Sequence, residues 1–240
     1  MKENIWIIGA SSGIGAALAL EYQKLGANLA LSARNSDALS KLTNQAIILP
    51  MDVANYDQVL KSKQLLLQKW QKIDKIIFMA AIYQPMQFGA MDLDIANDII
   101  RVNLLGPLNV IEATLPDLVK YKSQFAICAS VAGYFGLPKS QPYSATKAAL
   151  INLVESLKAE YGTKLDVRLI NPGFVRTRLT DKNEFSMPLI ISSDEAAKRI
   201  VKGLNSDRFE IHFPMLFTYG MKLLRSTPYF VFNKINQILM

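Results

Sequence analysis

The chain has 240 residues, half of them apolar and a fifth charged, enough for one large α/β domain with a sizeable core. Its single cysteine, Cys128, excludes an internal disulfide framework and a cysteine-rich metal site, and fits a reducing, cytoplasmic setting. The net charge is +7, but no nucleic-acid motif accompanies it, so no nucleic-acid partner is expected. No run reaches the ~18 apolar residues of a membrane span, and the short apolar run after Lys2 turns Gly/Ser-rich too soon for a secretion signal.

In chain order, apolar runs at Asn4–Gly9, Asn28–Ala33, Ala46–Pro50, Lys75–Ala80, Gln124–Ala129 and Leu165–Ile170 read as buried strands, with a seventh over Phe209–Phe213. Helical spacing fills the gaps: Ala16–Leu25 stopping at Gly26, Tyr56–Trp70, two stretches at Asp92–Val102 and Leu108–Lys120, Pro142–Tyr161 ending near Gly162, and Ser193–Leu204 with a serine cap. Near-continuous apolar strands alternating with helices predict an α/β fold, a Rossmann-type doubly wound parallel sheet covered on both faces. Residues 1–213 read as one catalytic domain, with a substrate lid at about 178–192. Residues 214–240 read as an apolar and basic extension that Pro228 splits into two short helices.

Between the first strand and first helix stands Gly9-Ala10-Ser11-Ser12-Gly13-Ile14-Gly15. Missing side chains let the backbone turn tightly and approach a pyrophosphate, and the following helix offers unpaired N–H groups and its positive dipole end. Ser11 and Ser12 add hydroxyl donors. At the end of the second strand, Ser32-Ala33-Arg34-Asn35 contains no acid for a ribose 2′-hydroxyl. Arg34 offers a planar fork to a 2′-phosphate, assisted by Ser32 and Asn35, so NADP(H) is the expected cofactor.

Ser130 follows the fifth strand; Tyr143 comes thirteen residues later, and Lys147 four after that. Residues four apart share a helix face. A phenol with a pKa of about 10 is a sluggish acid–base near neutrality, and a nearby ammonium lowers that value. A serine hydroxyl can hold a substrate oxygen while the phenol delivers a proton as hydride reaches the carbonyl carbon.

The glycine turn, the serine spacing, Tyr143-Ser144-Ala145-Thr146-Lys147 and Asn171-Pro172-Gly173-Phe174-Val175-Arg176-Thr177 together resemble the short-chain dehydrogenase/reductase family over roughly Asn4 to Thr180. The resemblance implies that Asn103 bends its helix and holds a water in a proton relay to Lys147. It implies that Lys147 also bonds the nicotinamide ribose, that Asp52 and Val53 border the adenine, and that Ala80 lies beside the ribose. Pro172, Gly173, Val175 and Thr177 match the segment contacting the nicotinamide carboxamide. Homodimers or homotetramers are implied as well, through the long helices after Leu104 and Pro142. Two positions depart from the family pattern: Ile8 stands where threonine is usual, and Met79 where asparagine normally braces the sheet.

The remaining candidates are weaker. One histidine, His212, cannot supply a multi-ligand zinc site, and Cys128 reads as a core residue; no metal is expected. Lid residues Phe185, Met187, Leu189 and Ile190 suggest an apolar carbonyl or alcohol substrate. Between Lys198 and Met240, basic residues exceed acidic ones by five, and no acid follows Glu210. Three readings stay open for this tail: a cover on the same subunit, an oligomer interface, or a peripheral contact with an anionic membrane. An idle dinucleotide-binding regulator or scaffold is the alternative to an enzyme.

Overall fold

In the computed structural model, which describes residues 2–239 and their side chains as far as Lys234, the apolar runs become a seven-stranded parallel sheet. The strands are β1 (Asn4–Ile8), β2 (Asn28–Ser32), β3 (Ala46–Ile48), β4 (Lys75–Phe78), β5 (Gln124–Cys128), β6 (Asp166–Pro172) and β7 (Glu210–Phe213), in the order β3-β2-β1-β4-β5-β6-β7. Alternate side chains serve opposite layers. Ile5 and Ile7 of β1 pack under α1 (Gly13–Lys24) and α7 (Ser193–Leu204), whereas Trp6 and Ile8 pack under α3 (Tyr56–Lys69), α5 (Gly106–Tyr121) and α6 (Tyr143–Tyr161). Both faces are therefore dry, which explains the lack of polar alternation in the strands.

Three expectations need correcting. A short helix, α2 (Ser36–Leu42), follows β2, because the Asn35 carboxamide accepts a hydrogen bond from the Ala38 N–H at 3.0 Å and caps it. Helix α1 starts inside the glycine turn, three residues earlier than its apolar periodicity indicates. The two helices expected around 92–120 form one continuous rod: α4 (Leu93–Ile100) runs through a π-helical turn at Arg101–Leu105 straight into α5. Such turns insert a residue without ending the helix, so the chain stays helical from Leu93 to Tyr121.

The strand order reverses between β1 and β4, the switch point where open α/β sheets place a crevice at the carboxyl ends of their strands. After β7 come α8 (Met215–Arg225) and α9 (Tyr229–Leu239), separated at Pro228. The inner face of α8 docks on the sheet edge: Thr218 is fully buried and shares a 2.6 Å hydrogen bond with His212 Nδ1. Lys222 pairs with Glu210, which also accepts from Tyr134 and Asn171 at 2.7 Å each. His212 is thus a packing residue, T-stacked on Tyr219 at 4.9 Å.

Candidate active site

At the switch point one cleft of about 310 Å³ collects the glycine turn, the ends of β2, β4, β5 and β6, and the start of α6. The three glycines have separate reasons. At Gly9, with φ +93°, an added Cβ would lie 2.4 Å from the Ala80 nitrogen, and at Gly15 one would lie 2.2 Å from the Gly9 carbonyl oxygen. Gly13 turns with φ +57° beneath Thr177, whose methyl group would be 3.1 Å from a Cβ. Ser12 makes no side-chain cap to α1 and no acid occupies its first turn, unlike α2, α3, α4 and α7, which are capped by Asn35, Asn55, Asp92 and Ser192. Helix α1 therefore points open N–H groups and its positive end into the cleft, a fit for a phosphate.

Ser11, Ile14, Arg34, Asp52, Val53, Ala80, Pro172, Gly173, Val175 and Thr177 line the same cleft. Arg34 is exposed at its rim beside Asn35. Ser32 does not join them. It is fully buried and its Oγ accepts from Trp6 Nε1 at 2.8 Å, because its side chain follows the strand alternation into the Trp6 layer. Asp52 Oδ1 accepts from the Ala54 N–H at 3.0 Å, and Asn109 Nδ2 donates to the Val53 carbonyl at 2.9 Å, which fixes this loop on α5. Met79, in place of a polar brace, packs into the apolar layer under α1 and α7 while its N–H donates to the Ile8 carbonyl at 2.7 Å.

Ser130, Tyr143 and Lys147 meet in this cleft. The loop carrying Ser130 is seated on α6 by two contacts that the sequence motifs do not advertise. Gly133 lies so close that a Cβ would come within 2.7 Å of the Lys147 backbone carbonyl, and the buried Ser144 hydroxyl donates to the Ala132 carbonyl. Ser130 Oγ accepts from the Ala132 N–H at 3.1 Å, so its own proton remains free to be donated. Lys147, 2% exposed, donates to the Cys128 carbonyl at 2.8 Å and lies 5.5 Å from the Tyr143 ring centre. Burial pushes the Tyr143 phenol above its ordinary range and the Cys128 sulfur adds to that, while hydrogen bonding with Ser130 opposes it. Burial likewise pushes the Lys147 ammonium below its usual value. The ammonium's hydrogen bond goes to the Cys128 carbonyl and not to the phenol.

Asn103 is wholly buried in the π-helical turn. Its carboxamide clamps one residue, accepting from the Ile82 N–H at 2.8 Å and donating to the Ile82 carbonyl at 2.9 Å, with Thr146 Oγ1 at 3.3 Å. The π-helical turn interrupts the regular helix at Asn103, whose side chain holds the loop after β4. That loop carries Tyr83, which sequence reasoning missed. Its ring stands edge-on to Tyr143 at 4.9 Å, its hydroxyl donates to Asn183 Oδ1 at 3.0 Å, and its carbonyl accepts from Lys182 Nζ at 2.8 Å. Tyr83 thus joins the segment of Lys182 and Asn183 to the phenol. Arg178 and Thr180 also line the cleft, with Thr180 Oγ1 accepting from the Thr177 N–H at 2.9 Å. Among the described residues no group of histidine, cysteine or carboxylate side chains could hold a metal.

The geometry has relatives. Residues 3–187 match the family model described as short chain dehydrogenase. An 11-beta-hydroxysteroid dehydrogenase-like protein of Arabidopsis thaliana is 31% identical over 83% of this chain and 70% of its own length. An uncharacterized oxidoreductase of Listeria monocytogenes is 35% identical over 74% of this chain and 76% of its own. A short-chain dehydrogenase from Burkholderia cenocepacia, solved with NADP, superposes with a TM-score of 0.85 at 22% identity over 98% of both chains. A short-chain dehydrogenase/reductase from Burkholderia phymatum, solved with NAD, superposes at 0.84 with 20% identity over 92% of both chains.

Proposed function

We propose that this chain, which belongs to the short-chain dehydrogenase family, is an NADP(H)-dependent oxidoreductase interconverting a carbonyl compound and an alcohol. The observation that carries the reading is the meeting of Ser130, Tyr143 and Lys147 in the cleft into which the uncapped helix α1 opens. The glycine turn and the start of α1 hold the pyrophosphate, Arg34 the 2′-phosphate, Asp52 and Val53 the adenine, and Pro172 to Thr177 the carboxamide edge. When bound, the nicotinamide supplies or accepts the hydride.

The chain's own groups manage the oxygen. Ser130 Oγ, with its amide partner already in place, donates its free proton to the substrate oxygen. Tyr143 gives that oxygen its proton in reduction and recovers it in oxidation. Lys147 reaches the ribose and neutralises charge as the phenol ionises. Asn103 is a positioning residue, acting through Ile82. The apolar lid residues Phe185, Met187, Leu189 and Ile190, together with relatives named for hydroxysteroid dehydrogenases, support an apolar ketone or alcohol as substrate. Leu105 at the end of the π-helical turn and Leu108 on α5, both exposed, support pairing with a second copy, and the unpaired Cys128 supports a cytoplasmic setting.

Side-by-side titration with NADPH and NADH, read by tryptophan fluorescence, tests the cofactor. Tighter NADPH binding is expected, and comparable affinities would reject the role of Arg34. The Tyr143→Phe variant is expected to bind NADPH and turn over nothing. Surviving turnover would defeat the proton-transfer assignment, and a folded parent that binds neither nucleotide would favour an idle scaffold.

A further inference from the structure

Glu210 accepts three hydrogen bonds, and each donor comes from a different part of the frame around the cleft. The Tyr134 hydroxyl and the Asn171 carboxamide each donate to Oε1 at 2.7 Å, and the Lys222 ammonium holds Oε2. Tyr134 directly follows the turn that carries Ser130, Asn171 directly precedes Pro172 and Gly173, and Lys222 belongs to α8. One carboxylate thus spans separations of 76, 39 and 12 residues. Burial opposes ionisation of Glu210, but these bonds outweigh it and hold the carboxyl below its usual value, so it stays an acceptor. Burial and the carboxylate push the Tyr134 phenol above its ordinary value, so it stays a donor.

The turn that Tyr134 follows is closed on itself. Ser130 Oγ accepts from the Ala132 N–H at 3.1 Å, the Gly133 N–H donates to the Ser130 carbonyl at 2.9 Å, and the Tyr134 N–H donates to the Val131 carbonyl at 3.0 Å. A turn closed in this way moves as one piece, so the contacts that grip it from outside set the place of the serine. On one side Gly133 and Ser144 seat it on α6. On the other, Tyr134 ties it to β7 and, through Glu210, to Asn171.

Two halves of the proposed reaction therefore share an anchor. Ser130 is assigned the substrate oxygen, and Pro172 and Gly173 the nicotinamide edge. Hydride transfer needs its reacting atoms about 3–3.5 Å apart, and a misplacement of about 1 Å can cost about 100-fold. The Asn171 carboxamide is 1% exposed and its oxygen has no partner among the described residues, so the bond to Glu210 orients it. Lys222 completes the anchor, with its ammonium 6.0 Å from the Tyr134 ring centre and 5.8 Å from that of Tyr219. Thr218, four residues earlier on the same helix face, is fully buried against His212. Seating α8 thus delivers a cation to a half-buried carboxylate whose other two donors are neutral.

We propose that Glu210, with Tyr134 and Lys222, is a positioning residue that holds the Ser130 turn in register with the Asn171–Gly173 segment, so that helix α8 braces the active site. The effect on turnover rests on the oxidoreductase reading; the brace itself does not. The test is Tyr134→Phe, read by hydrogen–deuterium exchange of the nucleotide-free protein and by NADPH consumption with the apolar carbonyl compound that the parent turns over best. Exchange across residues 131–134 is expected to quicken about tenfold, and kcat to fall about tenfold with NADPH affinity unchanged, the worth of one hydrogen bond to a charged group. Adding Glu210→Gln is expected to lower kcat by less than the product of the two single effects, because both act on one bond. Ser123→Ala is the control for plain destabilisation. It removes a buried 2.6 Å bond to the Ile73 carbonyl at the other end of the sheet, and is expected to lower the melting temperature with exchange of the turn and kcat at parental values. Parental exchange in Tyr134→Phe would overturn the brace. Faster exchange with parental kcat would overturn its part in positioning. A parent without turnover, whose turn still exchanges faster in Tyr134→Phe, would reject the oxidoreductase reading and support the brace.

Discussion

Gly133→Ala is the sharpest probe of how the catalytic loop is held. The new Cβ would stand 2.7 Å from the Lys147 carbonyl carbon and oxygen and 2.8 Å from the Ala148 nitrogen, all of them backbone atoms of α6 that no rotamer change can move aside. Restoring an ordinary contact of 3.4 Å requires the Ser130 loop to lift by roughly 0.7 Å. Gly133 has no positive φ, so the effect is steric alone. Overpacking of this kind costs about 2 kcal/mol, which lowers the melting temperature by about 4–8 °C for a chain of this size. The lift also withdraws the serine hydroxyl from the oxygen it is proposed to hold, and a misplacement approaching 1 Å is expected to cost between about 10- and 100-fold in kcat. Gly133 does not line the cleft, so NADPH affinity stays at the parental value. Gly136→Ala is the matched control, since nothing lies within 4 Å of its Cβ. Calorimetry, fluorescence titration and NADPH consumption with a panel of apolar carbonyl compounds read the three quantities. A Gly133→Ala protein with parental melting and parental turnover would refute the close seating of this loop on α6.

Tyr83→Phe keeps the ring against Tyr143 but removes the hydroxyl bond to Asn183. Loss of one such bond, about 0.5–1.5 kcal/mol, should loosen the lid and raise KM by about 2–10-fold with kcat unchanged in steady-state assays; an unaltered KM would remove the latch. At the tail, burial alone would raise the Glu210 carboxyl, but hydrogen bonds from Lys222, Asn171 and Tyr134 outweigh it and hold the pKa below the usual value. A depressed folded value means that the stabilisation is complete above the unfolded value of about 4.3 and fades as pH falls through the folded one. Melting curves should therefore show the parent losing stability on the acid side of about pH 4.5 more steeply than Glu210→Gln, with the variant about 1–3 kcal/mol less stable at neutral pH. Parallel pH profiles would dissociate Glu210 from the docking of α8. Arg34→Ser should lower NADPH affinity toward that for NADH in the same titration, and a preserved preference would reject Arg34 as the partner of the 2′-phosphate.

What the sequence made legible follows from the range of the forces involved. Parallel strands buried on both faces leave near-continuous apolar runs, so β1, β4, β5 and β6 can be read directly, and Gly9, Gly13 and Gly15 announce a turn that no side chain would permit. The helix α2 escaped because it is only seven residues, about two turns, whose capping signal, Asn35 three residues before Ala38, was read as cofactor chemistry. The break expected between Val102 and Leu108 failed because a π-helical turn needs only one extra residue, and periodicity over ten residues cannot register it. In the cleft, the phenol and ammonium were visible as a four-residue spacing, but the fate of each polar atom was not. Ser32 faces Trp6, Asn103 clamps Ile82, and Lys147 bonds a carbonyl, because in a dry interior each polar group takes the nearest partner that satisfies it. Tyr83, Gly133 and Ser144 were missed for the complementary reason: each acts on a segment distant in sequence, reaching across 100, 14 and 12 residues to Asn183, Lys147 and Ala132. The proposed reacting groups are thus encoded by local spacing, whereas the contacts that hold them in register are encoded by closeness of backbone that only the assembled sheet creates.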